Sequence, residues 1–264
     1  MGNRYKLSIL LVTYNHANYI REALDKLFGQ IIDEQIELVI ADDASSDDTL
    51  AIIREYEGVD ERFAFKYLDN SKNHGITKNY ERSFAACSGE YVAVLEGDDY
   101  WINPFKLQKQ IEFLDMHWEC NLCSVNYFVF EEKNAHLYPR TNTSENYRLI
   151  SARELIADNI VGNFSTCMYR KLKLDELPKE LFEIKSYDWI TNICIAKNSF
   201  IGFLETPMSV YRLHGLGTWT QKSQVDKLQE QLDLIPSYNA LTRATCKFNQ
   251  AAKPISSKLN FLTF

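Results

Sequence analysis

Short apolar runs alternate, in the first hundred residues, with segments whose apolar side chains recur every three or four positions. Residues 7–13, 36–41 and 91–95 are rich in β-branched and aliphatic side chains and have the length of buried strands. Between the first two runs, apolar residues recur at helical spacing over residues 19–28. A strand, a helix and a strand in this order predict a right-handed crossover between parallel strands, and therefore an α/β fold.

The rest of the chain continues this mixture. Further strands are predicted at residues 63–67, 122–130, 163–169, 200–204 and 208–212, the last two forming a pair around Pro207. Helices are predicted at residues 76–87, from the Asn103-Pro104 start to residue 116, from the Ser151 capping box, and from Lys222 to Pro236. The polar segment 131–147 predicts a loop.

Polar and acidic residues directly follow three of the predicted strands. They are Thr13, Tyr14 and Asn15 after the first run, Asp42 and Asp43 after the second, and Glu96, Asp98 and Asp99 after the run at 91–95. In a parallel sheet these strand ends lie on one edge, where open α/β sheets bind their ligands. The pattern predicts a ligand site at this edge.

The sequence Glu96-Gly97-Asp98-Asp99 brings several carboxylates to the end of a buried strand. Such carboxylates repel one another and lose hydration unless they share a cation. Oxygen ligands of this kind suit Mn²⁺ or Mg²⁺, which complete their coordination with water and phosphate oxygens. One interpretation is a metal site that binds a nucleotide diphosphate, and the alternative is a solvated acidic turn.

Composition narrows the classes of function. The 264 residues, 45% of them hydrophobic, suffice for one large domain or a domain with an appended lobe. A net charge of -7 argues against a nucleic-acid-binding surface, because phosphate neutralisation needs clustered Lys and Arg. The six scattered cysteines indicate reduced thiols and a cytoplasmic protein. No segment approaches the roughly 20 apolar residues of a membrane span, so we expect any membrane association to be peripheral.

Considered together and in order, these motifs resemble those of family 2 inverting glycosyltransferases of the GT-A fold. The resemblance is carried by Ser-Ile-Leu-Leu-Val-Thr-Tyr-Asn at 8–15, Leu-Val-Ile-Ala-Asp-Asp-Ala-Ser-Ser-Asp-Asp-Thr at 38–49, Gly-Glu-Tyr-Val-Ala-Val-Leu-Glu-Gly-Asp-Asp at 89–99, Tyr187-Asp188, and Tyr211-Arg-Leu-His214. It implies a Rossmann-like, mostly parallel central sheet flanked by helices, with a C-terminal lobe on the acceptor side.

The resemblance also divides the chain. It implies a GT-A domain at residues 1–220, composed of a nucleotide-binding half (1–100) and an acceptor half (101–220). Residues 221–264 are expected to form a C-terminal helical extension, compatible with the start of a further region in a longer protein.

The resemblance implies roles for individual residues. The residues assigned to nucleotide binding are Thr13, Tyr14, Asn15, Asp43, Lys78, Glu96 and Asp98. The residues assigned to Mn²⁺ or Mg²⁺ are Asp98, Asp99 and His214. Tyr14 would stack on the base while Asp43 accepts its N–H, which favours a uridine or thymidine diphosphate sugar. Lys78 stands where the family often has arginine and would meet phosphate as a point charge. The division of metal and ribose contacts within Glu96-Gly97-Asp98-Asp99 stays open.

Asp188 is the catalytic base that the resemblance implies. Inverting transfer needs a base beside the acceptor hydroxyl, opposite the leaving diphosphate. The alternative is a plain helix N-cap, because an apolar run starts directly after Asp188. Arg212 or His214 would add to the diphosphate clamp, and Trp219 on its glycine-flanked loop would close over the donor.

The implied reaction is metal-dependent, inverting transfer of a sugar from a UDP- or dTDP-sugar to a hydroxyl group. The acceptor would be a saccharide or lipid-linked saccharide of bacterial surface polysaccharide or glycan synthesis, with the enzyme in the cytoplasm or peripheral at the inner face of the membrane.

Two alternatives stay open. A sugar nucleotidyltransferase would carry a glycine-rich, basic loop after the first strand, which residues 13–17 lack. A non-catalytic nucleotide- or sugar-binding module would release no nucleoside diphosphate from a nucleotide sugar. A dehydrogenase is disfavoured because no GxGxxG follows the first strand.

Overall fold

A mixed sheet of ten strands organises the protein, whose computed structural model describes residues 5–142, 145–215 and 222–242. The first four strands are parallel and comprise β1 (Leu7–Thr13), β2 (Ile36–Asp42), β3 (Phe63–Tyr67) and β4 (Tyr91–Glu96). The helices between them are α1 (Ile20–Phe28), α2 (Thr49–Arg54) and α3 (Ile76–Ala86). Their spatial order is β3-β2-β1-β4, so β1 lies inside the sheet.

The second half of the chain continues the same sheet. Its strands are β5 (Tyr100–Trp101), β6 (Cys120–Glu131), β7 (His136–Pro139), β8 (Tyr147–Ser151), β9 (Cys167–Arg170) and β10 (Phe200–Leu213). Its helices are α4 (Lys106–Met116), α5 (Ala152–Ala157), α6 (Lys171–Asp175), α7 (Asp188–Ile195) and α8 (Gln224–Thr242). The path runs β3-β2-β1-β4-β9-β6-β10-β5, with β7 beside β6 and β8 beside β10. Strand β9 is antiparallel to both of its neighbours.

Strand β1 shows how the sheet separates two apolar cores. Leu7, Ile9 and Leu11 join a core shared with α1 and α4. Leu10, between them, instead joins the core shared with α3, α5 and α7. Successive side chains of a strand point to opposite faces, so a strand covered on both faces is apolar throughout. The helices on both faces and the mostly parallel strands of the first half confirm the predicted α/β architecture.

The structure corrects two predictions about strands. The segment 131–147, predicted as a loop, contains β7, which pairs with β6. The side chains of β7 are exposed or half-buried, so no apolar alternation marked it in the sequence. The predicted strand pair at 200–204 and 208–212 is one strand, β10, whose register with β6 shifts on both sides of Pro207. Such an irregularity accommodates proline, which has no N–H to give to the ladder.

Two predicted boundaries are also wrong. Helix α8 continues through Pro236 to Thr242 instead of ending there. Ile235 and Tyr238 are buried in the core that also holds α7, and this burial offsets the hydrogen bond that proline removes. The predicted strand at 163–169 begins with a 3-10 turn, Phe164–Thr166, before the chain becomes extended in β9.

Other predictions about helices are confirmed. Helix α3 lies within the predicted range 76–87, and α5 begins with the predicted capping box, in which Ser151 Oγ accepts the Glu154 N–H at 3.3 Å. None of the helices in the described ranges is both long enough and apolar enough to cross a membrane. The domain boundary at residue 220 stays a prediction, and residues 243–264 lie outside the described ranges.

Candidate active site

The carboxyl ends of β1, β2 and β4 meet at one edge of the sheet. In the register of these strands, Thr13 pairs with Asp42, and Val12 pairs with Glu96. The Asp43 N–H donates to the Thr13 carbonyl at 3.0 Å, which extends the contact beyond the strand ends. The three polar clusters therefore lie side by side, as the parallel order of the strands predicts.

The loop after β1 is fastened to the loop after β2. Asn15 has a positive φ of 55°, its N–H donates to Ser45 Oγ at 2.8 Å, and its Oδ1 accepts the Ser46 N–H at 2.8 Å. The His16 N–H donates to Thr49 Oγ1 at 2.8 Å. Asn15 thus shapes the loop, while the neighbouring Tyr14 ring is 48% exposed and available for stacking.

Asp43 is buried and holds the turn before α3. Its Oδ1 accepts the His74 N–H at 2.7 Å, and its Oδ2 accepts the Gly75 N–H at 2.9 Å. The Asn73 side chain donates to the Asp43 carbonyl at 2.9 Å. Each carboxylate oxygen can accept a further hydrogen bond, so these contacts fix the orientation of Asp43 and leave it able to accept a bond from a ligand.

Gly97 permits a close approach of the backbone to two polar side chains. A Cβ at this position would lie 2.8 Å from Thr13 Oγ1 and 2.9 Å from His16 Nδ1. Both of these side-chain atoms are buried and have no hydrogen-bond partner among the described residues. The glycine therefore lets the backbone after β4 lie directly against two polar atoms that a ligand could satisfy.

Glu96 and Asp99 are bound into the protein by residues from distant parts of the chain. Ser165 Oγ accepts the Glu96 N–H at 3.0 Å and donates to Asp99 Oδ2 at 2.7 Å. Asp99 Oδ1 accepts the Arg212 N–H at 3.0 Å, and Glu96 Oε1 accepts from the Tyr80 hydroxyl at 2.9 Å. Burial and the neighbouring carboxylates raise the pKa of both acids well above the ordinary range.

The pKa of Asp98 is shifted in the opposite direction, downwards. Its Oδ2 lies 2.9 Å from His214 Nε2 and 3.7 Å from His16 Nε2. Burial acts to raise its pKa, but the His214 hydrogen bond and the charges of both imidazoles outweigh burial and lower it. The Tyr19 ring lies against the His214 ring, with centroids 4.4 Å apart, and fixes its position. Asp98 is therefore the ionised carboxylate of the cluster.

The two predicted cationic contacts lie in different settings. Lys78 is half-buried and pairs with Glu81 at 3.0 Å and with Glu183 at 2.6 Å. Arg212 is buried, where its Nε donates to the Asp98 carbonyl at 3.0 Å and its Nη2 donates to Glu22 at 2.6 Å. The guanidinium of Arg212 therefore supports the loop that carries Asp98.

Asp188 is the first residue of α7, and the N-cap position belongs to Tyr187. Asp188 Oδ2 accepts from Asn159 Nδ2 at 3.0 Å. Burial raises the pKa of Asp188 to about 6, although the Asn159 bond and the backbone N–H groups at the helix start act to lower it. A carboxylate with this pKa is ionised at neutral pH and still basic enough to accept a proton.

The half-buried Tyr211 of β10 is influenced by the charges of both Asp188 and the acidic cluster. Burial raises the pKa of Tyr211 well above its ordinary value, and the charges of Asp99, Glu96, Asp98 and Asp188 raise it further.

The side-chain atoms that could bind a metal fit a divalent cation that takes few protein ligands. Asp98 and His214 offer one carboxylate and one imidazole, a mixed set that suits Mn²⁺ better than Mg²⁺. Within residues 5–142, 145–215 and 222–242, no group of three or more His, Cys, Asp or Glu side chains could hold a metal ion. Water and diphosphate oxygens would have to complete the coordination.

Sequence reasoning missed Ser165, Tyr80 and Asn159, which contact Asp99, Glu96 and Asp188. Each contact joins residues from different elements, and none of the three residues stands in a motif. His16 carried a signal, because it directly follows the polar residues after β1. Trp219, predicted as a lid, lies outside the described residues.

Comparison with known sequences identifies relatives. The profile of glycosyl transferase family 2 matches residues 8–177. Uncharacterized protein Rv1520 of Mycobacterium tuberculosis is 35% identical over 215 residues, which are 81% of this chain and 60% of that protein. The putative teichuronic acid biosynthesis glycosyltransferase TuaG of Bacillus subtilis is 30% identical over 131 residues, 50% of each protein. The chain thus spans about 60% of the length of its mycobacterial relative.

Solved structures share the fold. S. aureus TarS 1-349 in complex with UDP-GlcNAc has a TM-score of 0.68 at 22% identity, over 88% of this chain and 66% of that one. Mannosyltransferase PcManGT from Pyrobaculum calidifontis, in complex with GDP-Man and Mn²⁺, has a TM-score of 0.62 at 16% identity, over 97% and 74%. These likenesses confirm the predicted GT-A architecture. With a family profile that matches more than half of its length, the chain belongs to glycosyl transferase family 2.

Proposed function

We propose that this protein transfers a sugar, with inversion, from a nucleotide diphosphate sugar to a hydroxyl group of a saccharide acceptor. The observation that carries the proposal is the contrast between Asp98, which contacts His214 and His16, and Asp188, which is held by Asn159 at the start of α7. Asp98 has a lowered pKa beside two imidazoles, whereas Asp188 has a pKa raised to about 6. The surroundings of Asp98 suit an anion that attracts a cation and its diphosphate. Those of Asp188 suit a general base.

The nucleotide would bind over the edge formed by β1, β2 and β4. Tyr14 would stack on the base, and Asp43, held by two backbone N–H groups, would accept the base N–H. Thr13 and Asn15 shape the loop beneath it, Glu96 would meet the ribose, and Lys78 would approach the phosphates. The UDP-GlcNAc complex of TarS supports a uridine donor, and a dTDP-sugar has the same base edge.

Asp98 and His214 would hold Mn²⁺ or Mg²⁺, which supplies positive charge to the leaving diphosphate when bound. Asp99 would support this site from behind, because both of its oxygens already accept hydrogen bonds from Ser165 and Arg212. The Mn²⁺ in the PcManGT complex supports a metal for this fold.

Asp188 would take the proton from the acceptor hydroxyl as its oxygen attacks the anomeric carbon. Asn159 would keep one carboxylate oxygen fixed, so that the other faces the acceptor. We propose a saccharide or lipid-linked saccharide as the acceptor, in surface polysaccharide synthesis, a role supported by the name of TuaG. We further propose a cytoplasmic enzyme with peripheral membrane contact, and a GT-A domain at 1–220 followed by a helical extension.

A panel of UDP-, dTDP- and GDP-sugars with Mn²⁺ tests the proposal. Each donor is incubated with the protein, with and without saccharide acceptors, and released nucleoside diphosphate is measured. We expect release with at least one UDP- or dTDP-sugar and loss of that release in Asp188→Asn. A protein that binds a nucleotide sugar but releases no nucleoside diphosphate would be a binding module, and the proposed function would be wrong.

A further inference from the structure

The segment 158–166 connects the proposed base with the acidic cluster. Near its start, Asn159 Nδ2 donates to Asp188 Oδ2 at 3.0 Å. Near its end, Ser165 Oγ donates to Asp99 Oδ2 at 2.7 Å. Asn163 lies between these two anchor points, so its position in the chain brings it into the region between base and cluster.

The Asn163 amide is buried without a partner. Neither Nδ2 nor Oδ1 has a hydrogen-bond partner among the described residues, and Asn159 Oδ1 is buried in the same condition. Buried polar side-chain atoms in folded proteins are almost always hydrogen-bonded, to protein, water or ligand. These unpaired atoms therefore indicate a place where something else completes the bonds.

Helix capping does not explain Asn163. It is the N-cap of the 3-10 turn Phe164–Thr166, where an asparagine oxygen normally accepts a backbone N–H of the turn. Its side chain makes no such bond. The Asn163 backbone carbonyl instead accepts the Thr166 N–H at 3.3 Å and Thr166 Oγ1 at 2.8 Å. The local turn is thus held by the backbone of Asn163, which any residue would provide.

Gly162 fixes the position of the next residue. It has a positive φ of 81°, and a Cβ there would lie 2.4 Å from the buried ring of Tyr127. Only glycine allows this close contact between backbone and ring. Asn163 is therefore held in place by the packing of its neighbour, and its amide is not needed for that purpose.

The unpaired atoms match the chemistry of a sugar. An asparagine amide offers N–H donors and a carbonyl acceptor, and Asn159 Oδ1 adds a second acceptor. Neighbouring hydroxyl groups on a pyranose ring both donate and accept, so they can satisfy these atoms together. A purely apolar ligand would leave all of them unpaired.

We propose that Asn163, together with Asn159 Oδ1, binds neighbouring hydroxyl groups of the acceptor sugar and so holds the attacking hydroxyl at Asp188. We assign Asn163 to the acceptor and not to the donor because Asn159, four residues before it in the same segment, donates directly to the proposed base Asp188. The inference rests on the proposed function.

The test compares acceptor and donor kinetics in Asn163→Ala, with the donor found in the panel and p-nitrophenyl pyranosides as acceptor probes. We expect the acceptor KM to rise about 10- to 100-fold, the effect of losing one or two hydrogen bonds. The donor KM and the acceptor-free hydrolysis of the donor should stay unchanged. The melting temperature should not fall, because the amide bonds nothing within the described protein.

Two further variants make the result decisive. Asn163→Asp keeps the shape of the side chain and removes its donors, so it should also raise the acceptor KM. This variant tests the assignment if the alanine variant fails to fold. Asn198→Ala removes an exposed asparagine between α7 and β10 and should change neither KM. An unchanged acceptor KM, or a raised donor KM, in a folded Asn163 variant would overturn the assignment. Absence of any turnover by the wild-type protein is a separate result, which would remove the proposed function and this inference together.

Discussion

Replacing Asp188 by asparagine should lower the rate of catalysis without weakening the fold. The substitution keeps the size of the side chain, and its Oδ1 can still accept from Asn159 Nδ2. It removes the group that would take the proton. Loss of a general base lowers kcat by roughly 10²- to 10⁴-fold, while nucleotide affinity should stay unchanged because Asp188 is assigned to the acceptor side of the site.

The same substitution should stabilise the fold above pH 6. Burial raises the pKa of Asp188 from 3.8 to about 6, so the folded protein binds the proton more tightly than the unfolded chain does. The ionised carboxylate therefore costs stability as pH rises from about 4 to 6, and the cost is fully present above that window. A change of one in pKa corresponds to about 1.4 kcal/mol, and discounting for partial exposure gives roughly 1–3 kcal/mol.

Two assays check this explanation of Asp188. The wild-type kcat/KM should fall about tenfold per pH unit below pH 6 and level off above it. Thermal melting at about pH 7.5 should show a higher midpoint for Asp188→Asn than for the wild type, with the difference gone near pH 4. Asp233→Asn, an exposed carboxylate on α8, is the control and should change neither measurement. Equal melting curves above pH 7, or retained turnover in Asp188→Asn, would refute the reasoning.

The remaining predictions concern the nucleotide edge and its supports. Asp43→Ala should weaken nucleotide binding in calorimetry by about 1–3 kcal/mol, whereas the exposed Asp48→Ala should not, and equal affinities would exclude the base contact. Gly97→Ala should lower the free energy of unfolding by about 1–3 kcal/mol, because its Cβ would lie 2.8 Å from Thr13 Oγ1. Gly215→Ala is the control, since no described atom lies within 4 Å of a Cβ there. A wild-type melting temperature for Gly97→Ala would count against the close approach. Ser165→Ala should lower the free energy of unfolding in urea by about 1–3 kcal/mol, since it removes the donor to Asp99 Oδ2 and the acceptor of the Glu96 N–H, and an unchanged midpoint would contradict that role. EDTA should abolish transfer and Mn²⁺ should restore it, while full turnover in chelator would exclude a metal requirement.

Much of the structure of the first hundred residues was predictable because its signals are local. The strands β1, β2 and β4 are buried on both faces, so each appears in the sequence as a nearly unbroken apolar run. Their parallel order then places the residues after them on one edge. The position of Asp43 beside Thr13 follows from that order alone.

The second half of the chain was harder to predict because several of its strands lack such runs. The side chains of β7 are exposed or half-buried, and β10 contains Pro207 inside a long strand. Helix α8 passes through Pro236 because tertiary packing of Ile235 and Tyr238 outweighs the local preference. In each case a contact distant in sequence decided the structure.

The sequence could not predict how the three carboxylates of the acidic cluster differ, for the same reason. Glu96, Asp98 and Asp99 are equivalent carboxylates in a motif, but Ser165 and His214 make them different. Ser165 lies 66 residues after Asp99, and His214 lies 116 residues after Asp98. Only the folded structure distinguishes the ionised carboxylate beside two imidazoles from the one that supports the loop.

The most direct test of the central claim is a crystal structure of the Asp188→Asn protein with its nucleotide sugar and Mn²⁺. We predict that the nucleotide base lies between Tyr14 and Asp43, that the diphosphate and metal lie at Asp98 and His214, and that the anomeric carbon faces position 188. A nucleotide sugar bound away from this edge, or one whose anomeric carbon faces away from position 188, would contradict the claim.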